Sequence, residues 1–169
     1  MSNDLFIITG CSGSGKSTMV EELHYRLKDN LYVYEFDDDT FPVENSTFKD
    51  WVDWRVYRTQ LMVNSALSKY VDRPYVICGV VIPCEFYKFN QYDGNVHFAS
   101  LTMENKVIRS RLKKRGWGRD LINCNLDVNV HLKWLMQREF DGCTVETDKH
   151  TVEETGAILR NWIDDILGA

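Results

Sequence analysis

The 169-residue sequence has few of the features that mark membrane, secreted or multidomain proteins. It has only three prolines, no low-complexity tract and no internal repeat, so nothing in it divides the chain into separate domains. No apolar run approaches the ~20 residues that a membrane-spanning helix needs, and the first residues show no signal-peptide pattern. We therefore expect a single domain, residues 1–169, located in the cytoplasm and large enough to bury a full core.

Positive charge and paired cysteines are also scarce. The formal net charge is −5 at pH 7, which weakens but does not exclude the prediction of a polynucleotide substrate. The five cysteines are odd in number and include no C-x-x-C pair, so we expect reduced thiols rather than disulfides or a zinc site. Hydrophobic residues make up 44% and charged residues 27% of the chain, which is ordinary for a soluble globular protein.

The sequence does contain a glycine-rich loop between a strand pattern and a helix pattern. Residues 10–17 read G-C-S-G-S-G-K-S and match G-x-x-x-x-G-K-S, the phosphate-binding loop called Walker A. Residues 5–9 predict a buried strand before it, and apolar residues at helical spacing follow it. Glycines let successive backbone N–H groups point at a phosphate, and the N-terminus of the helix adds its dipole. The alternative is a glycine-rich turn with a surface lysine, which the flanking pattern disfavours.

We predict that this loop binds ATP together with Mg²⁺. Lys16 would reach the β- and γ-phosphates and take part in catalysis, and the Ser17 hydroxyl would hold Mg²⁺. The residues expected to contact the nucleotide here are Gly10, Ser12, Gly13, Ser14, Gly15, Lys16, Ser17 and Thr18.

Three aspartates, Asp37, Asp38 and Asp39, follow the second predicted strand, residues 31–36. The carboxyl ends of parallel strands border the ligand crevice, where phosphoryl transfer needs a carboxylate for Mg²⁺ or for the proton of the attacking hydroxyl. We predict that Asp37 joins Ser17 at the metal and that Asp37 and Asp38 act in catalysis. Asp38 or Asp39 would contact the acceptor, and the sequence leaves open which is the base. The alternative is a solvated acidic turn.

Residues 48–70 predict a long helix that carries two arginines on roughly one face, Arg55 and Arg58. They could hold an anionic group of the acceptor, and Trp54 could stack on a ring. The alternative is an amphipathic helix whose tryptophans belong to the core. We favour it for Trp51, and for Trp54, Arg55 and Arg58 both interpretations stay open. In the next predicted strand, residues 75–83, Gly79 would let a ligand or a neighbouring backbone approach closely.

The second half of the chain predicts strand 96–101, helix 104–115, helix 121–140, strand 143–147 and helix 152–167. The helix that begins at residue 104 ends in basic residues next to Gly116 and Gly118, a pattern typical of a mobile flap over phosphates. Stabilisation of the helix dipole is the alternative. In helix 121–140 we expect Leu126, Val130, Trp134 and Leu135 to form the apolar stripe, and Thr151 with Glu154 predicts a capping box.

Alternating strands and helices predict a doubly wound α/β fold, and together with the motifs the whole chain resembles the small P-loop kinases. That group comprises the nucleoside monophosphate kinases with the shikimate and gluconate kinases. The likeness rests on Walker A, on the aspartate pair after the second strand and on R-L-x-x-R at residues 111–115. It implies three layers with a five-stranded parallel sheet, a small lid at about residues 115–125 and an acceptor-binding helical region at about 38–70.

The resemblance also assigns roles to residues. It implies that Arg111 packs on adenine, that Arg115 and Arg119 contact phosphates with Arg115 catalytic, and that the loop from Thr147 touches the adenine. The acceptor site would include Arg55, Arg58 and Gly79. The D-G-[FY]-P-R sequence of adenylate and uridylate kinases is missing after the third strand, so the sequence does not name the acceptor.

We therefore expect an ATP- and Mg²⁺-dependent phosphotransferase, a monomer or homodimer, that acts on a nucleoside, nucleotide or similar small metabolite. One alternative is a nucleotide-binding regulatory NTPase, although the N-K-x-D motif of GTPases does not occur. The other is a polynucleotide end kinase, which would need a basic groove.

Overall fold

The computed structural model of the chain describes residues 4–27, 32–35, 47–68, 74–89, 92–140 and 142–168. The three predicted acidic residues Asp37, Asp38 and Asp39 lie outside the described residues. The elements in chain order are β1 (Asp4–Thr9), α1 (Lys16–Leu27), β2 (Tyr32–Glu35), α2 (Phe48–Ser68), β3 (Tyr75–Gly79), α3 (Pro83–Phe89), β4 (Asn95–Thr102), α4 (Asn105–Lys114), α5 (Arg119–Arg138), β5 (Cys143–Glu146) and α6 (Val152–Leu167).

The strands form one five-stranded sheet in the order β2-β3-β1-β4-β5, and every pair is parallel. The first strand of the sequence thus lies at the centre, with Thr9 opposite Gly79 on one side and Ser100 on the other. Its apolar sequence suits this position, because a central parallel strand is covered on both faces. The predicted α/β fold with a five-stranded parallel sheet and helices on both faces is confirmed.

Alternate side chains of β1 supply the cores on the two faces of the sheet. Phe6 and Ile8 pack with residues of α1 and α6 on one face. Leu5 and Ile7 pack with residues of α2, α3 and α5 on the other. This is the period-two alternation of a strand, and it makes the sandwich of three layers.

A third apolar cluster joins the glycine loop to the helices on its side. Cys11 of the loop and Trp51 of α2 pack in it with residues of α4 and α5, and Trp51 is only 1% exposed. Trp51 is therefore a core residue, as we favoured from the sequence.

The third strand ends earlier than predicted. β3 stops at Gly79, and Pro83 starts α3 instead of ending the strand. Proline suits the first turn of a helix, where its missing N–H costs nothing. Beyond Gly79 the partner strand β1 has ended, so its backbone no longer pairs with this segment. The Thr9 side chain pairs with it instead: its hydroxyl donates to the Val81 carbonyl at 2.6 Å and accepts from the Val81 N–H at 3.0 Å.

Helix α5 turns only part of the predicted stripe toward the core, since Leu126 and Leu135 are buried as predicted and the other two residues are not. Val130 and Trp134 are 55% and 44% exposed, so their assignment to the apolar stripe is wrong. The buried face instead includes two amides, Asn125 and Asn129, among apolar residues. The predicted capping box of α6 is confirmed, with Thr151 and Glu154 each accepting the other's backbone N–H.

The predicted lid corresponds to a short connection followed by helix. Residues 115–118 join α4 to α5, and residues 119–125 already belong to α5. Within the described ranges, none of the helices combines the length and the apolarity that a membrane crossing requires.

Candidate active site

The glycine loop connects the carboxyl end of the central strand β1 to the first turn of α1. Gly13 and Gly15 have φ angles of 85° and 101°, in the left-handed region where other residues are strained. A Cβ added at Gly10 would lie 2.4 Å from Ser14 Oγ and 2.7 Å from the Leu101 carbonyl oxygen. The loop therefore needs glycine at these positions, for conformation at two of them and for space at the third.

Lys16 lies inside the loop rather than on the surface. Lys16 is only 3% exposed, and its Nζ donates to the Cys11 carbonyl at 3.1 Å. The N–H of Ser14 donates to the same carbonyl at 3.2 Å. Ser17 and Thr18, in the first turn of α1, are exposed. The surface-lysine alternative considered above therefore does not describe this loop.

The hydroxyl of Ser14 is unusual among the loop's polar groups. Ser14 Oγ is buried and has no hydrogen-bond partner among the described residues. A buried hydroxyl without a partner costs free energy, so the loop has an unused polar group that a bound anion or water could pair with.

Two later segments contact the loop backbone. Arg111 of α4 donates from Nη1 to the Gly13 carbonyl at 2.8 Å. The Thr147 hydroxyl, just after β5, donates to the Ser14 carbonyl at 2.9 Å. Beside these contacts is a cavity of about 90 Å³ lined by Ser14, Gly15, Thr18, Met19, Arg111, Thr147, His150, Thr151, Val152 and Thr155. The structure thus brings Arg111 and Thr147 together at one side of the loop.

Asn125 of α5 also contacts the loop, and no motif in the sequence selects it. The N–H of Ser12 donates to Asn125 Oδ1 at 2.9 Å, and both residues are buried. Asn125 Nδ2 in turn donates to the Leu121 carbonyl one turn earlier in α5, at 2.9 Å. The only signal in the sequence is an amide four residues after Leu121, on the face that other residues of this helix make apolar.

The basic residues of the predicted lid do not line the cavity. Arg115 is the C-cap of α4 and Arg119 begins α5, and both side chains are exposed. Trp117 between them is partly buried against the cluster that includes Cys11 and Trp51. Both arginines are therefore exposed where α4 joins α5, and their contact with phosphates stays a prediction.

On the other side of the sheet's carboxyl edge, Arg55 of α2 is buried. Only 2% of Arg55 is exposed, and its Nη2 donates to both carboxylate oxygens of Glu85 in α3, at 2.8 and 2.7 Å. Its guanidinium carbon lies 4.6 Å from the centre of the Trp51 ring. Burial lowers the pKa of Arg55, and the Glu85 carboxylate opposes that effect. Arg55 Nε and Nη1 are buried without a hydrogen-bond partner among the described residues.

Two of the other predicted acceptor residues are in the same helix as Arg55, and the third ends β3. Trp54 and Arg58 are half-buried in α2, and Gly79 is the buried last residue of β3. Between α2 and α3 is a groove of about 630 Å³ lined by Val52, Asp53, Val56, Tyr57, Gln60, Cys84, Glu85, Lys88 and Phe89. Glu85 thus borders this groove and also binds Arg55.

A magnesium site is only partly within the described residues. Ser17 presents an exposed hydroxyl at the first turn of α1, whereas its predicted companion Asp37 lies outside the described ranges. Among the residues that the structure describes, no three His, Cys, Asp or Glu side chains form a group that could hold a metal ion.

The central strand, glycine loop and buried lysine define a P-loop nucleotide-binding protein. The sequence profile of the AAA domain family matches residues 7–130, and the chain belongs to that family. No curated protein matches the chain by sequence.

Solved kinase structures share the fold over nearly the whole chain. A sugar kinase from Janibacter sp. HTCC2649 is 18% identical, with 97% of this chain and 95% of that chain covered and a TM-score of 0.64. A shikimate kinase from Acinetobacter baumannii is 14% identical, with 99% and 94% covered and a TM-score of 0.62. A deoxyadenosine kinase from M. mycoides is 16% identical, with 96% and 99% covered and a TM-score of 0.60. The chain has the fold of the small P-loop kinases.

Proposed function

We propose that the protein is an ATP- and Mg²⁺-dependent phosphotransferase that moves the γ-phosphoryl group of ATP to a small metabolite. The observation that carries this proposal is the buried Lys16 ammonium, held on the Cys11 carbonyl inside a loop whose Gly13 and Gly15 have positive φ angles. A cation in such a place is suited to neutralise charge on a phosphoryl group in transfer.

The nucleotide would lie across the loop with its base in the cavity beside Arg111 and Thr147. Backbone N–H groups of Gly13 and of Gly15 to Thr18 would bind the phosphates, and the dipole of α1 would add to their effect. Arg115 and Arg119, both exposed, are free to turn toward phosphates when a nucleotide is bound. Asp38 or Asp39 would accept the proton of the acceptor hydroxyl.

The oxygens of Ser17 and Asp37 are of the type that Mg²⁺ prefers, and the exposed Ser17 hydroxyl fits such a ligand. When bound there, Mg²⁺ would neutralise phosphate charge.

Arg55 favours an acceptor that carries an anionic group. A guanidinium is always charged and has five N–H donors, of which Glu85 takes only those on Nη2. The remaining donors on Nε and Nη1 are buried without partners in the described part of the chain. Leaving such donors unpaired is costly, and a carboxylate or phosphate of the acceptor would satisfy them.

The function is tested by incubating the protein with ATP and Mg²⁺ against nucleosides, nucleoside monophosphates, sugar acids and shikimate while ADP release is measured. We expect release that depends on one class of compound and is abolished in Lys16→Ala. ADP release at the same rate without any acceptor would instead indicate a regulatory NTPase. Salt-sensitive phosphorylation of oligonucleotide ends, with no activity on small acceptors, would indicate a polynucleotide end kinase.

A further inference from the structure

The peptide unit between Cys11 and Ser12 is held from two opposite directions. Its N–H donates to Asn125 Oδ1 at 2.9 Å. Its carbonyl accepts from Lys16 Nζ at 3.1 Å and from the Ser14 N–H at 3.2 Å. In a planar trans peptide the N–H and C=O point in opposite directions, so a contact that fixes one also fixes the other. Asn125 and Lys16 are therefore connected through one rigid group.

The Asn125 amide can satisfy its two partners in only one orientation. The Ser12 N–H needs an acceptor, and the Leu121 carbonyl needs a donor. The observed orientation meets both needs, and the opposite one would meet neither. Asn125 is 0% exposed and Ser12 only 9%, so water cannot easily replace the amide. The position therefore requires a side chain that accepts on one side and donates on the other.

We propose that Asn125 is a positioning residue for phosphoryl transfer, which acts through the Cys11–Ser12 peptide to place the Lys16 ammonium. This inference rests on the proposed function. Without the amide oxygen, the Ser12 N–H would be buried and unpaired, and the peptide would gain by turning toward another acceptor. Such a turn would carry away the carbonyl that holds Lys16, although every residue that contacts the nucleotide would still be present.

Asn129 offers a matched control on the same helix. It lies one turn further along α5, is 2% exposed and uses the same amide chemistry. Its Nδ2 donates to the Met103 carbonyl and to Asn105 Oδ1, both at 2.9 Å, and its Oδ1 accepts from the Met103 N–H at 3.4 Å. Because these partners are outside the glycine loop, replacing Asn129 reproduces the loss of a buried amide without changing the hold on the Cys11–Ser12 peptide.

The first measurement compares the affinities of Asn125→Ala and Asn129→Ala for MgATP and MgADP by calorimetric titration. We expect Asn125→Ala to weaken MgATP binding about tenfold, the size expected when a buried N–H is left unpaired. Asn129→Ala should lower the melting temperature about as much as Asn125→Ala does, but it should leave the MgATP affinity near that of the wild type. Equal effects of the two substitutions on MgATP affinity would overturn the proposal.

The second measurement uses Asn125→Asp, which differs from the natural residue only in the group that faces Leu121. When protonated, the carboxyl group can donate to the Leu121 carbonyl and accept from the Ser12 N–H, as the amide does. When ionised, it repels that carbonyl and the bound phosphates. MgATP affinity relative to wild type should therefore rise as the pH is lowered from about 8 to about 5.5, and Asn129→Asp should show no such rise. A flat profile for Asn125→Asp would contradict the proposal, and this variant carries the test if Asn125→Ala does not fold.

A double-mutant cycle separates positioning of Lys16 from a general effect on the loop. In a Lys16→Ala background, adding Asn125→Ala should change MgATP affinity by less than about twofold, because the group that Asn125 places is already missing. The full tenfold loss in that background would overturn the proposal while leaving the proposed function intact. A wild-type protein that binds neither MgATP nor MgADP would overturn both.

Discussion

The two sides of the sheet's carboxyl edge differ in how completely their polar groups are paired. On the side proposed to bind the nucleotide, called here the nucleotide side, the backbone groups of Cys11, Ser12, Gly13 and Ser14 contact Lys16, Asn125, Arg111 and Thr147, respectively. On the side proposed to bind the acceptor, called here the acceptor side, Arg55 contacts Glu85 through a single nitrogen, and its two other nitrogens have no partner in the described residues. The nucleotide side is a loop whose backbone is held by side chains from other segments. The acceptor side has the buried Arg55 guanidinium next to the groove between α2 and α3.

The two sides would therefore bind their ligands in different ways. A loop held by contacts from α4, α5 and the segment after β5 needs little rearrangement when phosphates arrive, which is the condition for effective electrostatic stabilisation. Arg55 is fixed by Glu85 and by the Trp51 ring, and its Nε and Nη1 have no partner among the described residues. If the acceptor pairs with these nitrogens, as proposed, the binding free energy on that side should depend on the chemistry of the acceptor.

The largest effect should come from removing the cation on the nucleotide side. In Lys16→Ala we expect kcat to fall about 10³-fold, because removal of one preorganised charge at a transferring group has effects of that order. Lys106→Ala, at an exposed lysine paired with Glu104, is the control and should turn over normally. The measurement is steady-state ADP release with the acceptor that the panel of compounds selects, and a Lys16→Ala rate within threefold of wild type would remove Lys16 from the chemistry.

A smaller effect should follow when the space in the loop is filled. In Gly10→Ala the new Cβ would meet the Leu101 carbonyl, which cannot move without distorting β4. We expect a loss of about 1–3 kcal/mol in the free energy of unfolding, together with weaker MgATP binding. Gly118→Ala is the comparison variant, since an added Cβ there meets nothing within 4 Å and its cost is limited to a weaker N-cap of α5. Equal urea midpoints for the two variants would show that the loop tolerates the extra methyl group.

On the acceptor side, Arg55→Met should change acceptor binding without changing nucleotide binding. Methionine keeps most of the volume and the contact with Trp51 but removes every donor. We expect the KM of an anionic acceptor to rise about tenfold or more, with MgATP affinity unchanged. Arg160→Met, at an exposed arginine that pairs with Asp164 on α6, is the control. A parallel loss of MgATP affinity in Arg55→Met would show that the two sides are not independent.

The smallest effect on stability should come from Tyr75, which begins β3 at the end away from Gly79 and belongs to neither side. Burial raises the pKa of Tyr75 to about 12. An ordinary tyrosine in the unfolded chain loses its proton near 10. The folded state therefore binds more protons between about pH 10 and pH 12, so this contribution to stability is complete below pH 10 and is lost as the pH rises through that window.

Tyr75→Phe should make the alkaline loss of stability less steep, as measured by urea unfolding at a series of pH values above 9. Only part of the slope should disappear, because burial also raises the pKa of Tyr87 and Tyr92. An unchanged slope would mean that Tyr75 ionises equally in both states.

Features set by local sequence were the ones that could be predicted. The strand, glycine loop and first helix follow from the spacing of residues 5–27, and the capping box of α6 needs only Thr151 and Glu154. The alternation of strands and helices was enough for the parallel sheet. The roles of Asp37, Asp38 and Asp39 stay predictions, as do those of the lid arginines.

Contacts between distant segments were beyond the sequence. Asn125 meets Ser12 across 113 residues, and Arg55 meets Glu85 across 30. No local pattern selects such a partner, because the choice depends on how the helices lie on the sheet. The same cause explains the error in α5, where the stripe drawn through Val130 and Trp134 placed a solvent-facing side against the core.

The central position of β1 has a consequence for how the chain is made. Both neighbours of this strand, β3 and β4, come from residues 75–102, so β1 is synthesised well before either of its partners. At synthesis rates of about 5–20 residues per second, β1 waits roughly 5–20 s before β4 is complete. A nascent chain interrupted before residue 95 would expose one unpaired edge of the apolar strand β1. Such an edge can pair with another chain and start aggregation unless a chaperone covers it.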